Sequence, residues 1–157
     1  MTSIAVEDLP ELSLDEMAHG EPWIVDGAFG PPFGGSPCVY LYHLDEPEPI
    51  AVTVSWTISL KHWSSGMPVA EYTAMLIDAC KLWPSPIGLR FEDAYVETDT
   101  EEDIVEFSYS IRSSSKDLAG AYAAAESLLA MIVNRTDPAL EASGSTPSPK
   151  TIRRGRE

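Results

Sequence analysis

The sequence turns on the stretch Ile50-Ala-Val-Thr-Val-Ser-Trp-Thr-Ile-Ser-Leu60. Ile50, Val52, Val54, Trp56, Ile58 and Leu60 alternate without a break against Ala51, Thr53, Ser55, Thr57 and Ser59. That is the period-two pattern of a strand with one buried and one wetter face. Eleven residues at about 3.3 Å each reach roughly 36 Å, which predicts a strand through the middle of an antiparallel sheet.

On its N-terminal side, Cys38 to Leu44 is rich in strand formers, and Asp45-Glu-Pro-Glu-Pro49 turns the chain, so the two strands form a hairpin. On its C-terminal side, Pro68 opens a helical stripe of Val69, Tyr72, Leu76, Ala79 and Trp83, which Pro84-Ser-Pro86 ends. The order then repeats. Leu89 to Thr98 reads as a strand with untidy alternation, Asp99 to Asp103 as a turn, and Ile104 to Arg112 as a cleanly alternating strand. Ser115 reads as the cap of a long helix, with Leu118, Tyr122, Ala125, Leu129 and Ile132 on its buried face. The predicted fold is α+β: a two-layer domain of four or five antiparallel strands with two main helices on one face, built from strand-strand-helix twice.

The flanks read more loosely. Residues 1–12 are expected to be a loose lead-in, residues 13–136 the single domain, and residues 137–157 a disordered tail with a basic end. Ser13 and Glu16 have capping-box spacing and predict a short helix over Leu14 to His19. Trp23-Ile-Val25 reads as a short strand or a plug at the core edge. Gly27 to Pro37 is a Gly/Pro-rich loop that displays Phe29 and Phe33, either a lid or a plain connection.

Charge separates function classes. The chain holds 25 acidic and 10 basic residues, for a formal net charge of −15. Residues 1–60 contain no Lys or Arg, and neither do residues 91–111. Lys150, Arg153, Arg154 and Arg156 gather at the other extreme. A body this acidic repels nucleic-acid backbone and anionic membrane, and it draws basic protein partners at low salt. There is no long apolar span and no basic leader ahead of an apolar run, so a cytoplasmic location is expected.

No catalytic signature emerges. His19, His43 and His62 lie in different elements, none at ligand spacing from another histidine or a cysteine, so no metal or other cofactor is assigned. Cys38 and Cys80 read as two buried thiols. The loop glycines do not make a phosphate cradle, because prolines remove donors and no Lys or Ser/Thr opens a following helix. The reading is therefore a non-catalytic acidic protein-binding domain that sequesters a basic protein. It is analogous in size and charge to an immunity protein holding a toxic nuclease, or to a small secretion chaperone holding its cargo. Its candidate contact residues are Glu92, Asp93, Glu97, Asp99, Glu101, Glu102, Asp103 and Glu106, with Phe29 and Phe33. The alternatives are a small enzyme or ligand-binding domain using His43 or His62 between sheet and helices, and an acidic mimic of DNA. The hydroxyl face of the sheet, Thr53, Ser55, Thr57, Ser59, Ser108 and Ser110, is expected either to meet water or to serve as a homodimer interface.

Overall fold

A computed structural model describes residues 2–29, 37–59, 68–99, 101 and 104–142, with only the backbone described at 58–59 and 137–142. Six strands form one sheet: β1 (Thr2–Ala5), β2 (Trp23–Asp26), β3 (Cys38–His43), β4 (Ile50–Ser59), β5 (Leu89–Asp99) and β6 (Ile104–Ser113), in the order β1-β2-β3-β4-β6-β5. All neighbours are antiparallel except β1 and β2. The two main helices are α1 (Val69–Lys81) and α2 (Leu118–Ala142). The chain is thus α+β, and β4, paired with β3 on one side and β6 on the other, occupies the interior position that its unbroken alternation predicts.

The sheet has six strands where four or five were expected, and the extra strand comes from the supposedly loose lead-in. Thr2 to Ala5 pair in parallel with Trp23 to Asp26. A 3-10 helix, Val6–Glu11, then buries Leu9 in the core. Four residues are too few to show a period, which is why this strand is invisible to pattern reading. The capping box at Ser13 forms as its spacing predicts, with the Ser13 hydroxyl accepting from the amide of Asp15 and Glu16 accepting from that of Ser13. It opens only a 3-10 turn, Leu14–Glu16.

The untidy alternation of β5 has a structural cause. The register to β6 slips between Phe91 and Asp93, so that Leu89 and Phe91 share the inner face with Ala94 and Val96 across a bulge at Glu92. One core cluster gathers Val39, Leu41, Val52, Val54, Trp56, Phe107, Tyr109 and Ile111 from alternate strand positions with Tyr72 and Leu76 of α1 and Leu118, Leu128, Leu129 and Ile132 of α2. Buried Tyr109 donates its hydroxyl to the carbonyl of Ala125, which ties the middle of β6 to the middle of α2.

The start of α2 departs from expectation. Its cap is Asp117, whose carboxylate accepts the amide of Gly120 at 3.1 Å, while the hydroxyl of Ser115, two residues before the cap, accepts the amide of Asp117. A Cβ at Gly120 would meet the Asp117 carboxylate, so a side chain there would have to displace the capping group. Asp117→Ala is expected to cost about 1 kcal/mol and to lower the thermal midpoint by roughly 3 °C, measurable by circular dichroism. At its other end the helical backbone continues to Ala142, beyond the expected boundary at 136.

Candidate functional site

Side chains on the face opposite the core follow directly from the strand register. Successive rows across β3, β4, β6 and β5 are Tyr42, Ala51, Arg112 and Arg90; then Tyr40, Thr53, Ser110 and Asp93; then Cys38, Ser55, Ser108 and Tyr95. The next row adds Thr57, Glu106 and Glu97. The two central strands carry small side chains, with the hydroxyls of Thr53 and Ser110 2.9 Å apart. Tyrosines stand on the outer two, and Tyr95 is 57% exposed. The result is a shallow hydroxyl floor between aromatic rims, of the kind that supplies contact area with little loss of side-chain entropy.

The β5–β6 hairpin brings like charges opposite each other at both ends. Arg90 faces Arg112 at one end, and Glu97 faces Glu106 about 20 Å away along the strands. The basic end is neutralised. Arg90 donates two hydrogen bonds to Glu48, at 2.7 and 2.9 Å; Arg112 donates to Glu92 at 3.2 Å and to the Glu48 carbonyl at 2.8 Å. The hydrogen bond from Arg90 holds the Glu48 carboxyl below its ordinary range and, reciprocally, raises Arg90.

The acidic end is different. Glu97, Asp99, Glu101 and Glu106, with Thr98 and Ile104, line an open cleft of about 440 Å³. Asp99 accepts the amide of Glu101, which fixes the turn. Ion pairs among the described residues include His19–Asp45, Arg90–Glu48, Arg112–Glu92 and Lys116–Glu46. Cross-strand like charges destabilise a ladder by a few tenths of a kcal/mol to about 1 kcal/mol. The Glu97–Glu106 pair carries that cost.

The ten candidate contact residues therefore divide. Glu97, Asp99, Glu101 and Glu106 are brought together. Glu92 is drawn instead into the arginine end, and Asp93 lies at the bulge, where its carboxylate accepts the amide of Ala94. Glu102, Asp103 and Phe33 lie outside the described residues. Phe29 is a correction: expected at the loop surface, it is 2% exposed, with its amide donating to the Tyr122 hydroxyl at 2.9 Å and its ring 5.3 Å from that of Tyr122. Its φ of 55° is unusual for a bulky side chain, and burial in the core offsets the strain. The rest of the Gly27 to Pro37 loop, residues 30–36, lies outside the described residues, as does His62.

The remaining candidates are placed plainly. His43 Nδ1 lies 3.2 Å from the carbonyl of Met17, and His19 Nε2 lies 2.8 Å from Asp45 on the surface. Among the described residues no three His, Cys, Asp or Glu side chains are placed to hold a metal ion between them. Cys80 is buried and its thiol is pushed up to about 12 by desolvation, but Cys38 is exposed on the hydroxyl face, against the expectation of two buried thiols. What pattern reading missed was the Glu48-Arg90-Arg112-Glu92 network, because it depends on the register of β5 against β6. No helix among the described residues is long and apolar enough to cross a membrane.

Comparison with family models, with curated proteins and with solved structures found no match to this chain.

Proposed function

We propose that this two-layer α+β domain is a non-catalytic binding module for a basic protein, which it holds at the acidic end of its hydroxyl face. The observation that carries the reading is the contrast within one hairpin. The facing arginines are neutralised by Glu48 and Glu92, whereas Glu97 pairs directly with Glu106 and the two line a cleft together with Asp99 and Glu101. Lysine and arginine side chains match such a site twice over. Their charged heads relieve the carboxylate repulsion, and guanidinium or ammonium groups also stack on tyrosine faces such as Tyr95. The net charge of −15 adds long-range attraction that speeds encounter at low salt. Sequestering a basic partner, in the manner of an immunity protein or a small chaperone, is the role that this surface suits.

The test is isothermal titration with a synthetic Lys/Arg-rich peptide, repeated across a salt series. The variant E97Q/D99N/E101Q/E106Q is expected to bind about ten- to a hundredfold more weakly and to show a flatter salt dependence. Glu92→Gln, whose carboxylate already serves Arg112, is expected to change affinity less than threefold. Equal affinity for the fourfold variant and the native chain would sink the proposal.

A further inference from the structure

Two of the histidines, far apart in the sequence, are brought together by the fold. His19, between the 3-10 turn at Leu14–Glu16 and β2, forms an isolated parallel bridge with His43, the last residue of β3, and the amide of Gly20 donates to the His43 carbonyl at 2.9 Å. Their imidazole centroids stand 5.3 Å apart, with the ring planes at 54°. Each ring has one nitrogen committed to oxygen. His43 Nδ1 donates to the carbonyl of Met17 at 3.2 Å, and His19 Nε2 donates to the Asp45 carboxylate at 2.8 Å. Carbonyl and carboxylate oxygens have no proton to give, so the bonded nitrogen carries it, and in the neutral ring the other nitrogen keeps a bare lone pair. Those nitrogens are His43 Nε2 and His19 Nδ1, and neither has a hydrogen-bond partner among the described residues.

We propose that His19 and His43 form a two-histidine site for a divalent transition-metal ion, with Asp45 and the Met17 carbonyl orienting the rings. Two observations carry it. One is the outer hydrogen bonding: histidines that ligate metals give their other ring N–H to a carboxylate or a backbone carbonyl, which fixes the tautomer and raises the basicity of the ligating nitrogen. The other is spacing. Two imidazoles on one tetrahedral ion, with metal–nitrogen bonds of about 2.1 Å, hold their centroids roughly 5.2 Å apart, against the 5.3 Å found here. Imidazole selects Zn²⁺, Cu²⁺ or Ni²⁺ over Mg²⁺ and Ca²⁺, which call for oxygen. With two protein ligands, the ion keeps positions open for water or for an incoming group. His19 belongs to the N-terminal segment and His43 to the β3–β4 hairpin, so a bound ion ties the two together. The site stands apart from the acidic cleft. His43 pairs with Ile50 at one end of β4, and Glu106 pairs with Thr57, about 23 Å further along the strand.

The test is a titration of the full-length chain with zinc chloride at about pH 8, where free imidazole is neutral, followed through the imidazole NMR resonances. The signals of His19 and His43 are expected to move together. Affinity for zinc is expected to fall about tenfold or more in H19Q and in H43Q, and about tenfold in D45N, which loses the charge behind His19. The thermal midpoint of the native chain is expected to rise with zinc, and that of H19Q to stay where it is. The variant E97Q/D99N/E101Q/E106Q separates this site from diffuse attraction of a cation to an acidic chain, and it is expected to bind zinc within about twofold of the native protein. Imidazole signals of His19 and His43 that do not move, or native affinity in both H19Q and H43Q, would overturn the proposal. Zinc binding that is lost in the fourfold carboxylate variant and kept in H19Q would overturn it as well, by assigning the ion to the cleft.

Discussion

Replacing Trp56 with alanine is expected to remove about 3–5 kcal/mol of folding stability, a large share of the roughly 5–15 kcal/mol typical of a native domain. Trp56 sits on the central strand, is 1% exposed, and pairs across to Phe107 of β6, itself fully buried. Removing the indole opens a cavity beside strands that are hydrogen-bonded on both sides. Such a backbone cannot collapse to refill it, which places the cost at the upper part of the range for large-to-small changes. Chemical denaturation followed by far-UV circular dichroism measures the loss. Thr57→Ala, one residue along on the exposed face, is expected to change stability by less than 0.5 kcal/mol. A loss below about 1 kcal/mol at Trp56 would contradict the placement of this side chain.

The second large effect is alkaline. Cys80, in the last turn of α1, is buried, and burial pushes its thiol up to about 12 from an ordinary value of 9.0. The sign follows from proton binding. Between those two values the unfolded chain releases the thiol proton and the native chain keeps it, so stability is fully present below about pH 9 and is lost as pH rises toward 12. The slope approaches about 1.4 kcal/mol per pH unit for one such group. Tyr109 steepens it above pH 10, because burial raises its hydroxyl well above the ordinary value. Denaturant midpoints measured from pH 8 to 11 are expected to fall for the native chain. Cys80→Ala, less stable at neutral pH, is expected to show a shallower fall. Parallel curves for the two proteins would remove Cys80 as the cause.

Much of the fold was legible because it rests on period. The alternation from Ile50 to Ser59 and from Ile104 to Arg112, and the helical stripes from Val69 to Ala79 and from Leu118 to Ile132, survive in the structure as β4, β6, α1 and α2. What escaped had no period to display: the four residues of β1, and the phase change that the bulge imposes on β5. The site was legible as a list of carboxylates and not as an arrangement. Glu92 and Glu97 look alike in a sequence. Only the pairing of β5 with β6 assigns one to Arg112 and sets the other against Glu106. Phe29 was misread because Gly and Pro around a phenylalanine suggest exposure, whereas Tyr122, far away in the chain, supplies the partner that draws it inward.

The bulge at Glu92 bears on a different question, whether this sheet can add a strand from another molecule. An edge strand offers unpaired backbone groups to any neighbour of similar register. Here β5 is the outer strand on one side, and the slip between Phe91 and Asp93 breaks its register partway along, while Asp93, Glu97 and Asp99 place negative charge along it. On the other side the outer strand, β1, is only four residues long. Both borders are therefore poor templates for growth by strand addition.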